Sequence, residues 1–129
     1  MTHAPLPLLV LWEQVVGELL DCTMRFPKVV RFTFSTRIDN LALDILERMV
    51  EARFARGAQR QALLAEADAR LARLQTLLRL AHDRRYLAAG TFEALVRRLD
   101  EAGRMLGGWR RHVGGAPGGP DSGTKSDPQ

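Results

Sequence analysis

The chain has 129 residues, enough for one hydrophobic core but not for a core plus a separate catalytic domain. Hydrophobic residues make up 46% and charged residues 26%, the balance of an ordinary soluble protein, and the formal net charge is +4. Of the 19 basic residues 17 are Arg, whose fork-shaped guanidinium makes bidentate contacts with phosphate; this suits a nucleic-acid partner, although a GC-rich genome gives the same bias.

Pro5 and Pro7 punctuate the start, after which Leu8, Leu9, Leu11, Trp12, Val15, Val16, Leu19 and Leu20 recur at helical spacing to about Arg25. Leu8 to Trp12 is stopped by Glu13 and has no basic region before it, so neither a secretory signal nor a membrane span is expected. Cys22 is the only cysteine, which excludes an intrachain disulfide; the spacing makes it a small core residue, and a reducing, cytoplasmic setting is expected.

Pro27 opens the second helix, where Phe34, Ile38, Leu41, Ala42, Ile45, Leu46, Met49 and Ala52 form the apolar stripe to about Arg56, with Gly57 as its end. Asp39 and Arg53 project toward apolar positions of this helix, so each needs a partner on another helix or subunit. The third helix spans about Gln59 to Arg85, with Leu63, Leu64, Ala67, Leu71, Leu74, Leu78 and Ala81 on one face. The fourth starts near Ala89 or Thr91 and carries Phe92, Leu95, Val96, Leu99, Leu106, Trp109 and Val113. Gly103, Gly107 and Gly108 lie inside it; close helix approach would compensate for the first two, and the third marks local fraying.

No segment alternates apolar and polar residues as a strand would, and the connections are short. The expected fold is all-α, an antiparallel up-down-up-down four-helix bundle over residues 1–113. The segment 114–129, GGAPGGPDSGTKSDPQ, has almost nothing to bury and is expected to be a disordered tail.

Two features go beyond an isolated bundle. Leu77 and Leu80 widen the apolar arc of the third helix, and Phe32, Leu43, Val50 and Phe54 widen that of the second. Leu77, Leu80, Leu43 and Phe54 are therefore candidate oligomer contacts; oblique packing within one subunit would also bury a second stripe. Charge is segregated as well: Met1 to Met24 holds Glu13, Glu18 and Asp21 and no Lys or Arg, whereas Arg25 to Val113 holds 18 basic against 10 acidic residues, a net of +8. Arg97, Arg104 and Arg111, seven apart, line one edge of the fourth helix. Arg70, Arg73 and Arg84 cluster on the third, and Arg79, Arg84 and Arg85 crowd its end near Lys28 or Arg31. Such lines can track a phosphate backbone. Alternatively, Asp44 with Arg48, Glu93 with Arg97 and Asp100 with Arg104 could pair along their own helices.

His3, His82 and His112 have no ligand-like spacing, so no metal site or cofactor is expected. With no phosphate-binding Gly loop and no paired carboxylates, an enzyme is not expected either. The aromatics mostly occupy apolar positions, so no platform for stacking bases is evident.

The blocks FPKVVRFTFSTRIDNLALDILERMVEARF (Phe26 to Phe54), LLRLAHDRRYL (Leu77 to Leu87) and GRMLGGW (Gly103 to Trp109) resemble the accessory variability determinants of diversity-generating retroelements and their relatives encoded in 23S rRNA intervening sequences. The resemblance covers roughly Leu8 to Val113. It implies a barrel-shaped homopentamer with a basic exterior that binds RNA or DNA and docks a reverse transcriptase, with Arg79 in the third-helix motif and Arg104 in the fourth. A bundle without a reverse transcriptase partner and a purely protein-binding scaffold are the alternatives.

Overall fold

The computed structural model describes residues 6–115, and side chains through His112. Helix α1 (Leu6–Met24) leads into a 3-10 turn (Lys28–Val30) and a π turn (Arg31–Ser35), which run directly into α2 (Thr36–Phe54); α3 (Gly57–Asp83) and α4 (Ala89–Gly115) follow. Each helix packs on its sequence neighbours and α1 closes against α4, so the expected all-α four-helix bundle is formed. The expected tail lies largely outside the described residues, since the structure describes none of 116–129.

One core runs the length of the bundle. Leu8, Trp12, Val15 and Leu19 of α1 meet Ile38, Ala42, Ile45 and Met49 of α2, with Leu64, Leu71, Leu74 and Leu78 of α3 and Leu95, Leu99 and Leu106 of α4. The Trp12 indole N–H donates to the Ala42 carbonyl at 3.0 Å, which satisfies the polar end of a fully buried ring.

The entry to the second helix differs from the expected simple start at Pro27. Pro27 (φ −56°, ψ 139°) precedes a 3-10 turn, and the Thr36 amide then reaches back five residues to the Arg31 carbonyl, as in a π turn. Hydroxyls support this irregular backbone: Thr36 Oγ1 donates to Arg31 O (2.9 Å), Thr33 Oγ1 to Val30 O (3.4 Å) and Ser35 Oγ to Thr23 O (3.5 Å). The wider turn rotates the residues before it, and Val30 and Phe26 are buried in the core while Phe32, within the turn, is exposed.

The α2–α3 junction also differs. Helix α2 stops at Phe54; Ala55 and Arg56 are extended, and Gly57 (φ +56°) starts α3 instead of simply ending α2. The buried charge sits one helix away from where it was expected. Arg60 is 9% exposed and donates from Nε to Ala52 O (2.8 Å) and from Nη2 to Arg53 O (3.1 Å), covering the C-terminal carbonyls of α2. Its guanidinium lies 6.0 Å from the Trp109 ring. Arg53, by contrast, is exposed and lies 5.6 Å from the ring of its neighbour Phe54. Asp39 does find another helix, accepting a 2.7 Å bond from Thr23 Oγ1 of α1.

Ion pairs run both across and along the helices: Arg48 lies 3.7 Å from Glu51 and Arg70 3.9 Å from Glu66 on their own helices, and among the described residues three pairs join different helices. Arg48 meets Glu66 (2.8 Å), Arg98 meets Glu18 (3.3 Å) and Arg110 meets Asp68 (2.7 Å). All are solvent-accessible, so each contributes only about 0–1 kcal/mol. Among the described residues Asp44 with Arg48, Glu93 with Arg97 and Asp100 with Arg104 do not pair. The glycines inside α4 also behave differently: of Gly103, Gly107 and Gly108, Gly103 alone faces another helix, where an added Cβ would meet Leu71 Cδ2 at 3.5 Å. At Gly107 it would meet Arg111 Nη1 of the same helix at 3.3 Å, and α4 continues unbroken through Gly108.

Candidate nucleic-acid interface

Antiparallel packing brings the α1–α2 connection and the α3–α4 loop to one end of the bundle, and an aromatic wedge joins them. The Tyr86 ring lies 5.9 Å from Phe26 and 5.5 Å from Phe34, edge-on to the latter. Tyr86 reaches this position because α3 ends in a left-handed C-terminal motif. Arg85 (φ 67°) donates its amide to His82 O and Tyr86 donates to Ala81 O, both at 2.9 Å. Glycine is the usual residue at such a position, and Arg adopts it at a cost of about 1 kcal/mol.

This geometry fixes where the basic groups go. Arg84 Nε donates to the Tyr86 hydroxyl at 3.5 Å, which pushes the already high guanidinium pKa further up. Arg85 is exposed beside it, and Arg79 is exposed one turn earlier on α3. From the other connection Arg25, Lys28 and Arg31 are exposed. Among the described residues none of these six cations sits in an ion pair. Nearby, Asp39 is engaged by Thr23, and Asp83 lies 3.8 Å from His82 Nδ1. His82 itself stacks on Phe92 at 4.3 Å between centroids.

A cleft of about 400 Å³ opens between the two halves of this connection, with Met24, Lys28, Arg31 and Asp39 in its wall. Arg25 Nη2 lies 3.9 Å from Cys22 Sγ. Burial pushes the Cys22 thiol up, and Arg25 only partly opposes the shift, which fits a core residue.

The remaining candidates separate into different environments. Arg70 is half-buried, bonded to Glu66 O at 3.3 Å and 3.9 Å from its carboxylate. Arg73 lines an open groove of about 600 Å³ between α2 and α3, together with Arg37, Asp44, Leu41 and Leu77. On α4, Arg97, Arg104 and Arg111 are all exposed, but Arg111 folds back over the Gly107–Gly108 backbone and Arg104 borders a groove with Asp68 and Asp100.

The candidate subunit contacts also divide, three exposed and one half-buried. Leu43 and Phe54 are exposed with Val50 on the outer face of α2, and Leu80 is exposed on α3. Leu77 is different: it is half-buried and packs on the core of its own subunit. Sequence reasoning missed Arg60, although it lies fourteen residues before Leu74 and thus within about 40° of it on α3.

Among the described residues no group of three His, Cys, Asp or Glu side chains is arranged to hold a metal, and no helix is long and apolar enough to cross a membrane. No curated protein matches the chain. The bAvd-like family profile matches residues 9–113, spanning all four helices and both connections that build the basic end, and the chain belongs to the bAvd-like family.

Proposed function

We propose that the protein is a non-catalytic accessory subunit that binds nucleic acid through the basic end of its bundle. The observation that carries this reading is the convergence of Arg25, Lys28 and Arg31 from one connection with Arg84 and Arg85 from the other, beside Arg79 near the end of α3, with no ion-paired partner among the described residues. Exposed cations held by a rigid wedge attract phosphates without first breaking internal ion pairs, and their contacts release condensed counterions. Arg73, Arg97, Arg104 and Arg111 extend the basic surface along the bundle, and Arg70 contributes least because Glu66 engages it.

Membership of the bAvd-like family supports a more specific role. The protein acts in the cytoplasm beside a reverse transcriptase and its template RNA or complementary DNA, as part of a diversity-generating retroelement. It assembles as a homopentamer, for which the exposed Leu43, Val50 and Phe54 on α2 and Leu80 on α3 supply apolar surface. A ring of subunits would multiply the positive field of each basic end.

The test is a salt titration of binding to structured RNA and DNA, with the subunit mass followed by light scattering. Replacing Arg79, Arg84 and Arg85 by Glu is expected to weaken binding and flatten the salt dependence by about one phosphate contact per lost cation, with the mass unchanged. Unchanged affinity in the folded triple variant would remove these residues from the interface, and a one-subunit mass at micromolar concentration would refute the assembly.

A further inference from the structure

The basic end carries an apolar feature that phosphate binding does not explain. Met24, the last residue of α1, is 82% exposed, and Val29 and Phe32 in the connection after it are 86% and 83% exposed, whereas Phe26 and Val30 of that connection are buried and Phe34 is half-buried. Val29 lies in the 3-10 turn and Phe32 in the π turn that follows it, three residues further on. Leaving such surface in water is unfavourable compared with burying it against a partner.

Phe32 also differs from the other aromatics. Phe26 and Phe34 meet Tyr86, Phe92 meets His82, and the exposed Phe54 has Arg53 above its ring. Among the described residues no aromatic or cationic group stacks on Phe32. Its ring faces are open, while Lys28 and Arg31 are exposed on the same short segment.

We propose that Phe32 is a stacking platform for an unpaired base, with Lys28, Arg31 and Arg84 holding the flanking phosphates of the same single strand. An open ring face next to point charges complements a polyanion that carries flat π surfaces, and base stacking on an aromatic ring tolerates any sequence. A duplex keeps its bases stacked inside and offers the ring nothing beyond its backbone. The basic end would thus prefer single-stranded or looped nucleic acid over duplex, a selectivity that charge alone does not provide. The inference rests on the nucleic-acid reading above and adds the part of the ligand that is recognised.

The experiment uses the full chain with a fluorescein-labelled oligothymidine and a duplex of the same length, at constant salt. Phe32→Ala is expected to weaken oligothymidine binding about tenfold, to leave duplex binding within about twofold, and Phe32→Trp is expected to restore the loss. Because Phe32 is exposed, neither change removes core packing. Lys28→Glu with Arg31→Glu is expected to weaken both ligands. Equal oligothymidine affinity for wild type and Phe32→Ala overturns the platform while leaving the basic interface standing. Absence of wild-type binding to either probe at low salt overturns the nucleic-acid reading itself. Two further results would also overturn the platform: a changed subunit mass in Phe32→Ala, which makes the ring a subunit contact, or loss of binding only to a polyglutamate peptide, which makes it a protein contact.

Discussion

Arg60 is the most exacting test of how the bundle is held together, because a buried charge among the described residues is satisfied by helix carbonyls instead of a carboxylate. Its two bonds, at 2.8 and 3.1 Å, end on Ala52 O and Arg53 O in the last turn of α2. In Arg60→Met the Ala52 carbonyl retains the Ala55 amide at 3.3 Å, so it is not wholly orphaned, and the part-buried Arg53 carbonyl gains access to water. The loss is therefore about 1 kcal/mol for each bond, the value of an ordinary hydrogen bond because neither carbonyl is left wholly unpaired, plus about 0.5–1 kcal/mol for the Trp109 contact. Methionine recovers part of the apolar stem packing, which leaves a net loss of about 2–3 kcal/mol. For a domain of this size that corresponds to a fall of roughly 10 °C in Tm. Urea denaturation at fixed protein concentration measures it, since assembly would make the midpoint concentration-dependent. A loss below about 0.5 kcal/mol would refute the idea that Arg60 closes the end of α2. Arg60→Lys should fall between the two, because an ammonium cannot span both carbonyls as the guanidinium fork does.

Two other outcomes follow from local geometry. Arg85→Gly should stabilise the fold by about 0.5–1 kcal/mol in urea denaturation, since glycine relieves the positive φ but gains freedom in the unfolded chain; destabilisation would mean that the Arg85 side chain makes a contact worth more than the strain. Cys22 should react far more slowly with a thiol reagent at mildly alkaline pH in the folded than in the urea-unfolded protein, because burial pushes its thiol up. The sign for stability follows: the Cys22 contribution is complete below the unfolded thiol pKa and is lost as pH rises through the folded one. Equal labelling rates would contradict the buried assignment.

The helices were legible because a period of 3.6 places Leu64, Leu71, Leu74 and Leu78 on one stripe whatever their neighbours are. Ion pairs were not legible in the same way. Whether Arg48 meets Asp44 or Glu66 depends on the register of α2 against α3, which one chain's periodicity does not contain. Arg60 was hidden by its type, since a charged residue on a core stripe looks like an interruption until the carbonyls of another helix are placed beside it. The convergence of Lys28 and Arg31 with Arg84 and Arg85 followed from antiparallel topology. The open ring of Phe32 was legible only in part: spacing set it beyond the α2 stripe with Leu43, Val50 and Phe54, all exposed, but periodicity does not say that nothing stacks on its faces. The missing signal was the run Thr33, Ser35, Thr36, whose hydroxyls satisfy the backbone where the helix changes pitch.

That change of pitch makes the connection work like a phase shifter between two helical screws. An α turn closes over four residues and the π turn over five, so everything before Arg31 is rotated by about one residue, roughly 100°, relative to α2. The inward setting of Val30 is thus a property of the backbone phase, which substitution of its own side chain would leave unchanged. The tip is indexed by chain length: a one-residue deletion within Arg31–Ser35 would turn the whole tip away from both the core and the basic end.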